Sequence, residues 1–157
     1  MSLNLDSDIK LGDLVGEGGT ASVFQGQLLK TSKIASLGGI KDVAIKIPRS
    51  DISQSDKDSF LYEVAITSNI PKSPNLVLFV GYSEVPLAAI IKYYPFDLKT
   101  LLKDSSELEN KKMFDMKMAI DIASGMKLLH SAGILHLDLK TGMKPIFTGT
   151  LISFILQ

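Results

Sequence analysis

The chain has 157 residues, enough for one ordinary domain at roughly 100 to 200 residues each, and its 45% hydrophobic and 22% charged residues are those of a soluble globular protein rather than a disordered one. Lys+Arg and Asp+Glu both total 17, so no net field draws it to nucleic acid or to an anionic membrane surface. With no cysteine there is neither a disulfide framework nor a thiolate metal site, and a reducing cytoplasm is the default location.

Residues 1–10 are polar, include Asp6 and Asp8, and lack the layout of a signal peptide. Residues 11–29 favour extended structure on both sides of a glycine cluster and predict a hairpin. After a mixed stretch, the β-branched run Val43-Ala44-Ile45-Lys46-Ile47 predicts a strand over 42–47 that ends at Pro48. Residues 51–69 predict an amphipathic helix, with Ser53, Ser55 and Asp56 as capping candidates and Phe60, Leu61, Val64 and Ala65 as its apolar side around Glu63. Strands are predicted over 76–80 and 87–91, a short helix over 97–103, and a longer helix over 112–130 with Ala119, Ile122, Ala123, Met126 and Leu129 on one side. Strands with one helix followed by helices point to an α+β arrangement in two parts. The apolar runs 85–91 and 151–156 fall short of the roughly 18 to 20 residues that span a bilayer as a helix, so no membrane span is expected.

Three places carry chemistry. Gly16-Glu17-Gly18-Gly19-Thr20-Ala21-Ser22-Val23 suits a phosphate loop, because missing side chains let backbone N–H groups approach anionic oxygens; a plain glycine turn between strands remains the alternative. A dinucleotide-binding loop needs a helix directly after the glycines, and 23–28 reads as a strand. Lys46 ends a buried strand, where an ammonium is costly unless an anion meets it. Either it points to solvent from an edge, or it pairs with Glu63 on the next helix. His136-Leu137-Asp138-Leu139-Lys140 sets an Asp and a Lys two residues apart after the long helix, suited to proton acceptance beside a charge clamp, or else simply a surface turn. His136 is given no proton-transfer role.

In this order the segments resemble the signature set of eukaryotic protein kinases: glycine-rich loop, Val-Ala-Ile-Lys strand, helix glutamate and His-x-Asp-Leu-Lys loop. Residues 74–82 and 121–126 also look like kinase segments, most like the tyrosine-kinase-like group, and the resemblance covers about residues 9–142. It implies a kinase-like fold with a small β-rich lobe and hinge at 9–95, the beginning of a helical large lobe at 96–142, and a non-matching tail at 143–157. It implies ATP as ligand, bound by Val15 and by Gly16, Glu17, Gly18 and Gly19, whose backbone would cover the phosphates, with Lys46, held by Glu63, on the α- and β-phosphates. Val23 and Ala44 would cover adenine, Ile91 would be the gatekeeper, and Lys92-Tyr93-Tyr94 the hinge. Asp138 would be the catalytic base and Lys140 would steady the transferring group, as in serine/threonine kinases acting on protein substrates.

Departures from the pattern are Ala21 at the third glycine, Leu137 in place of the arginine of His-Arg-Asp, and Thr67 where an apolar residue is usual. The family's Mg2+ has no ligand assigned here, since Met143 stands where its asparagine is expected and residues 143–157 hold no Asp-Phe-Gly. The implied activity is therefore phosphoryl transfer from ATP to protein Ser or Thr, from a chain expected to be incomplete and inactive alone. A nucleotide-binding or scaffold module without catalysis, and a gene-model fragment, are the alternatives. The long helix would then show apolar surface to water or to a covering partner.

Overall fold

The computed structural model describes residues 2–29, 39–95, 98–104, 110–136 and 139. It divides into two compact units, one of Met1–Asn69 with Leu78–Tyr93 and the other of Ile70–Val77 with Tyr94–Gln157. The first holds α1 (Leu5–Asp8), β1 (Ile9–Glu17), β2 (Ala21–Leu28), β3 (Asp42–Pro48), α2 (Gln54–Asn69), β4 (Phe79–Glu84) and β5 (Leu87–Lys92). The second holds α3 (Leu98–Asp104) and α4 (Lys111–Ser131). A five-stranded antiparallel sheet of order β1-β2-β3-β5-β4, with helices, is the small-lobe arrangement of a kinase-like α+β fold.

The sheet is covered on both faces, which is why β3 reads as a continuous apolar run rather than an alternating one. Val43 and Ile45 point into a core with Ile9, Leu28, Val80, Ala88 and Ile90. Ala44 and Lys46 point to the other face, where Ala89 packs with Phe60 and Val64 of α2. Val43, Ala44 and Ile45 are all fully buried. Gly26 of β2 is a packing requirement. A Cβ there would lie 2.5 Å from Ile45 Cδ1 and 3.1 Å from the Lys10 carbonyl oxygen.

Three features differ from the sequence reading. The polar stretch before β1 is a clasp: Leu3 and Leu5 enter the core, Leu3 N–H donates to the Tyr82 carbonyl at 2.8 Å, and Leu29 N–H donates to Asp8 O at 2.9 Å. Asn4 caps α1 by accepting from the N–H groups of Asp6 and Ser7. Next, the strand expected over 76–80 begins only at Phe79 and continues through Gly81 to Glu84, because pairing with β5 runs to the cis Val85–Pro86 turn. Residues 76 and 77 belong to the helical unit instead.

The buried stripes of α2 and α4 match those expected only in part: Phe60, Val64 and Leu129 are buried as expected, and the other positions differ. On α2 they are Phe60, Val64 and Thr67, while Leu61 and Ala65 face solvent. Turning the helix this way brings Glu63 to the sheet. On α4 the buried positions are Gly125 and Leu129, with Ile122 and Met126 half-buried and Ala119 and Ala123 exposed. A Cβ on Gly125 would lie 2.6 Å from the Asn75 carbonyl oxygen, so the segment 70–77 sits directly on the helix backbone there. An open groove of about 270 Å³ beside this contact is lined by residues such as Leu76, Tyr94 and Met118. The helix ends at Ser131; beyond it Gly133 takes a φ of +73° that a glycine adopts without strain, and Ile134 N–H donates back to Leu129 O at 2.9 Å. No helix among the described residues is long and apolar enough to cross a membrane.

Candidate functional site

Directly opposed residues of antiparallel strands share a face. Register therefore places Gly16, Val23, Lys46 and Ala89 in one row across β1, β2, β3 and β5, and Ala44 opposite Ile91 in the adjoining row. The glycine turn lies at one end of this surface. Gly18 N–H donates to Ala21 O at 2.9 Å and Arg49 N–H to Thr20 O at 2.9 Å, which pins the turn to the end of β3. Val15 falls at a register irregularity between Leu14 and Gly16 and is half-buried. Glu17 is exposed, 3.8 Å from the Arg49 guanidinium. The carboxylate of Asp51 binds that guanidinium in a two-point hydrogen bond at 3.0 Å, which raises the Arg49 pKa and lowers that of Asp51.

Neither backbone angle nor packing explains the glycine at 19. Of the described glycines, Gly39 and Gly133 take left-handed φ, and a Cβ on Gly19 would meet nothing within 4 Å.

The centre of the surface is a buried ion pair. Lys46 Nζ donates to both carboxylate oxygens of Glu63, at 2.8 and 2.9 Å, with the two side chains 6% and 16% exposed. An ammonium this buried loses several kcal/mol of hydration, and the two-oxygen contact is what offsets the loss. The Nζ also lies 5.6 Å from the centroid of the Phe60 ring, one helical turn before Glu63. The solvent-facing alternative for Lys46 is thereby excluded.

Helix α2 begins with a cap of its own. Ser53 Oγ accepts from Asp56 N–H at 3.1 Å while Asp56 Oδ2 accepts from the N–H and hydroxyl of Ser53, a reciprocal capping box. Thr67, 3% exposed, is not left unsatisfied; its hydroxyl donates to Glu63 O at 2.7 Å. Sequence reasoning gave Phe60 a place on the helix but no part in the site. Its signal was the i, i+3 spacing to Glu63.

Val23, Ala44 and Ile91 are 6%, 0% and 2% exposed, an apolar floor beside the ion pair. Tyr93 N–H donates to Asp42 O at 3.0 Å and Lys92 N–H to Leu78 O at 2.9 Å, so neither amide is spare for a ligand. His136 follows α4 and is half-buried. Leu137, Asp138 and Lys140 lie outside the described residues, as do residues 141–157. Among the described residues no three His, Asp or Glu side chains form a metal-binding group.

The family model described as protein tyrosine and serine/threonine kinase matches residues 9–142. The chain is 34% identical over 140 residues to the probable serine/threonine-protein kinase pats1 of Dictyostelium discoideum, covering 85% of this chain and 4% of that protein. It is 32% identical over 136 residues to the tyrosine-protein kinase Fer of Mus musculus, covering 84% of this chain and 15% of that one. With the probable serine/threonine-protein kinase kinY of Dictyostelium discoideum the identity is 31% over 158 residues, covering 85% and 24%. The chain thus spans less than a quarter of each of these relatives. Since the matched stretch carries the glycine turn, Lys46, Glu63 and all five strands, the chain belongs to the protein tyrosine and serine/threonine kinase family.

Proposed function

We propose that this chain is the ATP-binding part of a protein kinase that transfers the terminal phosphoryl group of ATP to a Ser or Thr hydroxyl of a protein substrate. The observation that carries the reading is the two-point Lys46–Glu63 pair, buried on the sheet face that ends in the glycine turn. A lysine ammonium fixed in place and bordered by backbone without side chains suits polyphosphate. Val23, Ala44 and Ile91, small or branched apolar side chains on the same sheet face as Lys46, are of the kind that packs on a flat apolar ring such as adenine.

In this reading Val15 to Gly19 lie over the phosphates, Lys46 contacts the α- and β-phosphates, and Glu63 keeps the ammonium from swinging away. With the Lys92 and Tyr93 amides already engaged, recognition of the adenine edge falls to carbonyl oxygens and to the residues that follow. Asp138 accepts the proton of the attacking hydroxyl and Lys140 stabilises charge on the transferred group. Residues 9–95 act as small lobe and hinge, and 96–142 begin the large lobe. Mg2+, when bound, neutralises phosphate charge, and no described residues of this chain form a group to hold it.

Calorimetry of the 157-residue chain with ATP and with adenosine tests the reading. ATP is expected to bind more tightly than adenosine, and Lys46→Met to erase the difference. Equal affinity of the unaltered chain for both ligands would remove Lys46 from phosphate binding. Met143, standing where the family places asparagine, favours a second reading: a nucleotide-binding module without transfer. Saturating ATP at about 100 times Kd stabilises by about 2.7 kcal/mol. A thermal shift of that size, indifferent to Mg2+ and with no phosphate transferred, selects this second reading.

A further inference from the structure

We infer that Phe60 is a positioning residue for the Lys46 ammonium, holding it by its ring face without cancelling its charge, and that this favours phosphate-bearing ligands over uncharged ones. The inference deepens the ATP reading and rests on it for its second half. Lys46 Nζ lies 5.6 Å from the Phe60 centroid, inside the roughly 6 Å reach of a cation–π contact. The ring is 5% exposed and the Lys46 side chain 6%, so water does little to weaken the attraction.

The kind of second holder this site admits follows from the charge balance. Glu63 already balances the ammonium, so a further holder must add attraction to Lys46 without adding negative charge that would repel an arriving anion. A second carboxylate would make matters worse. An aromatic quadrupole adds attraction to the cation and leaves its formal charge intact. Phe60 and Glu63 sit one turn apart on α2, with Val64 and Ala89 packed beside the ring, so both holders reach Lys46 from a single rigid helix.

Two non-aromatic variants, Phe60→Leu and Phe60→Met, are compared with the aromatic Phe60→Tyr in the full 157-residue chain. In nucleotide-free protein the ring current should displace the Lys46 side-chain methylene resonances of the wild type. That displacement should vanish in the Leu and Met variants and return in the Tyr variant. ATP should bind about 2- to 10-fold more weakly to the Leu and Met variants, with adenosine unchanged and Tyr restoring ATP affinity. A merely structural Phe60 would weaken both ligands alike, and that result overturns the proposal. So do Lys46 resonances insensitive to the aromatic ring. If the wild-type chain binds no ATP, the functional reading fails, while the placement of Phe60 on Lys46 still stands or falls on the resonances.

Discussion

Beside its exposed Arg49–Asp51 pair, the sheet unit holds one ion pair out of water, and the described ion pairs of the helical unit are all exposed. In the sheet unit, Lys46 and Glu63 are withdrawn from water and joined through both carboxylate oxygens, beneath an aromatic ring. In the helical unit, Lys111–Asp115 and Lys117–Asp121 are i, i+4 pairs along α4 with side chains 39–72% exposed. Apolar side chains of the sheet core and of α4 differ in the same direction. Ile45, Ile90 and Ile91 of the sheet are almost wholly buried, whereas Met113, Met116 and Ile120 of α4 are 69%, 63% and 57% exposed. The sheet unit can hold a charge pair out of water because its surroundings are closed; the surface pairs of α4 add little, since exposed ion pairs contribute about 0 to 1 kcal/mol each.

The largest expected effect comes from breaking the buried pair on one side. Glu63→Ala leaves an ammonium without its carboxylate and is expected to lower unfolding stability by about 3 kcal/mol in urea titrations. Lys46→Met with Glu63→Leu removes both charges and should recover much of the loss. If Glu63→Ala changes stability by less than about 1 kcal/mol, the pair behaves like those on α4 and the contrast between the units disappears.

In the helical unit the matching weak point is backbone contact rather than charge. Gly125→Ala places a Cβ 2.6 Å from the Asn75 carbonyl oxygen, and a backbone atom cannot swing aside as a side-chain end can. The expected loss is about 1–3 kcal/mol, and hydrogen exchange should rise along α4 and the segment 70–77 while β3 and β5 keep their protection. Unchanged exchange in α4 would mean that the close approach carries no stability.

These two positions also mark the limit of what the sequence reveals. Lys46 and Glu63 were legible as a pair only through the ordered set of kinase motifs, since the residues by themselves left a solvent-facing lysine as the alternative. Gly125 was not, since the reason for it is a carbonyl fifty residues earlier in the chain. The same holds for Leu3 and Leu5, hidden among Asn4, Asp6 and Ser7, whose burial depends on the edge of β4. The α2 stripe was legible at Phe60 and Val64 but took in Leu61 and Ala65 in place of Thr67, because they look more apolar. A hydroxyl that donates to a carbonyl on its own helix can be buried at little cost, and hydropathy does not register that. The proposed base at 138 and lysine at 140 were read from the motif alone.

The capping box of α2 gives a smaller effect that connects local chemistry to the site. Ser53→Ala removes the hydroxyl that accepts from Asp56 N–H, and about 1 kcal/mol of stability should go with it. Fraying should stay within the first turn, because Phe60 and Glu63 anchor the helix further on. Loss of ATP affinity equal to that of Glu63→Ala would show instead that the cap, not the ion pair, sets the helix position.

The smallest effect tests whether the surface charges of α4 matter at all. The Asp121 carboxyl is held below its ordinary value chiefly by the hydrogen bond from Lys117, with desolvation acting against it and, more weakly, the Lys117 charge and an Asn75 hydrogen bond acting with it. A depressed carboxyl contributes stability that is present above the unfolded-state value, about pH 4, and is lost as pH falls through the lower folded value. Asp121→Asn should therefore leave the urea midpoint near neutrality almost unmoved and flatten its decline in acid. Asp51, lowered by Arg49 in the sheet unit, supplies a decline of the same sign that the variant retains. A variant whose acid limb matches the wild type's assigns the whole decline to groups other than Asp121, and makes the Lys117 pair a feature of geometry without energetic weight.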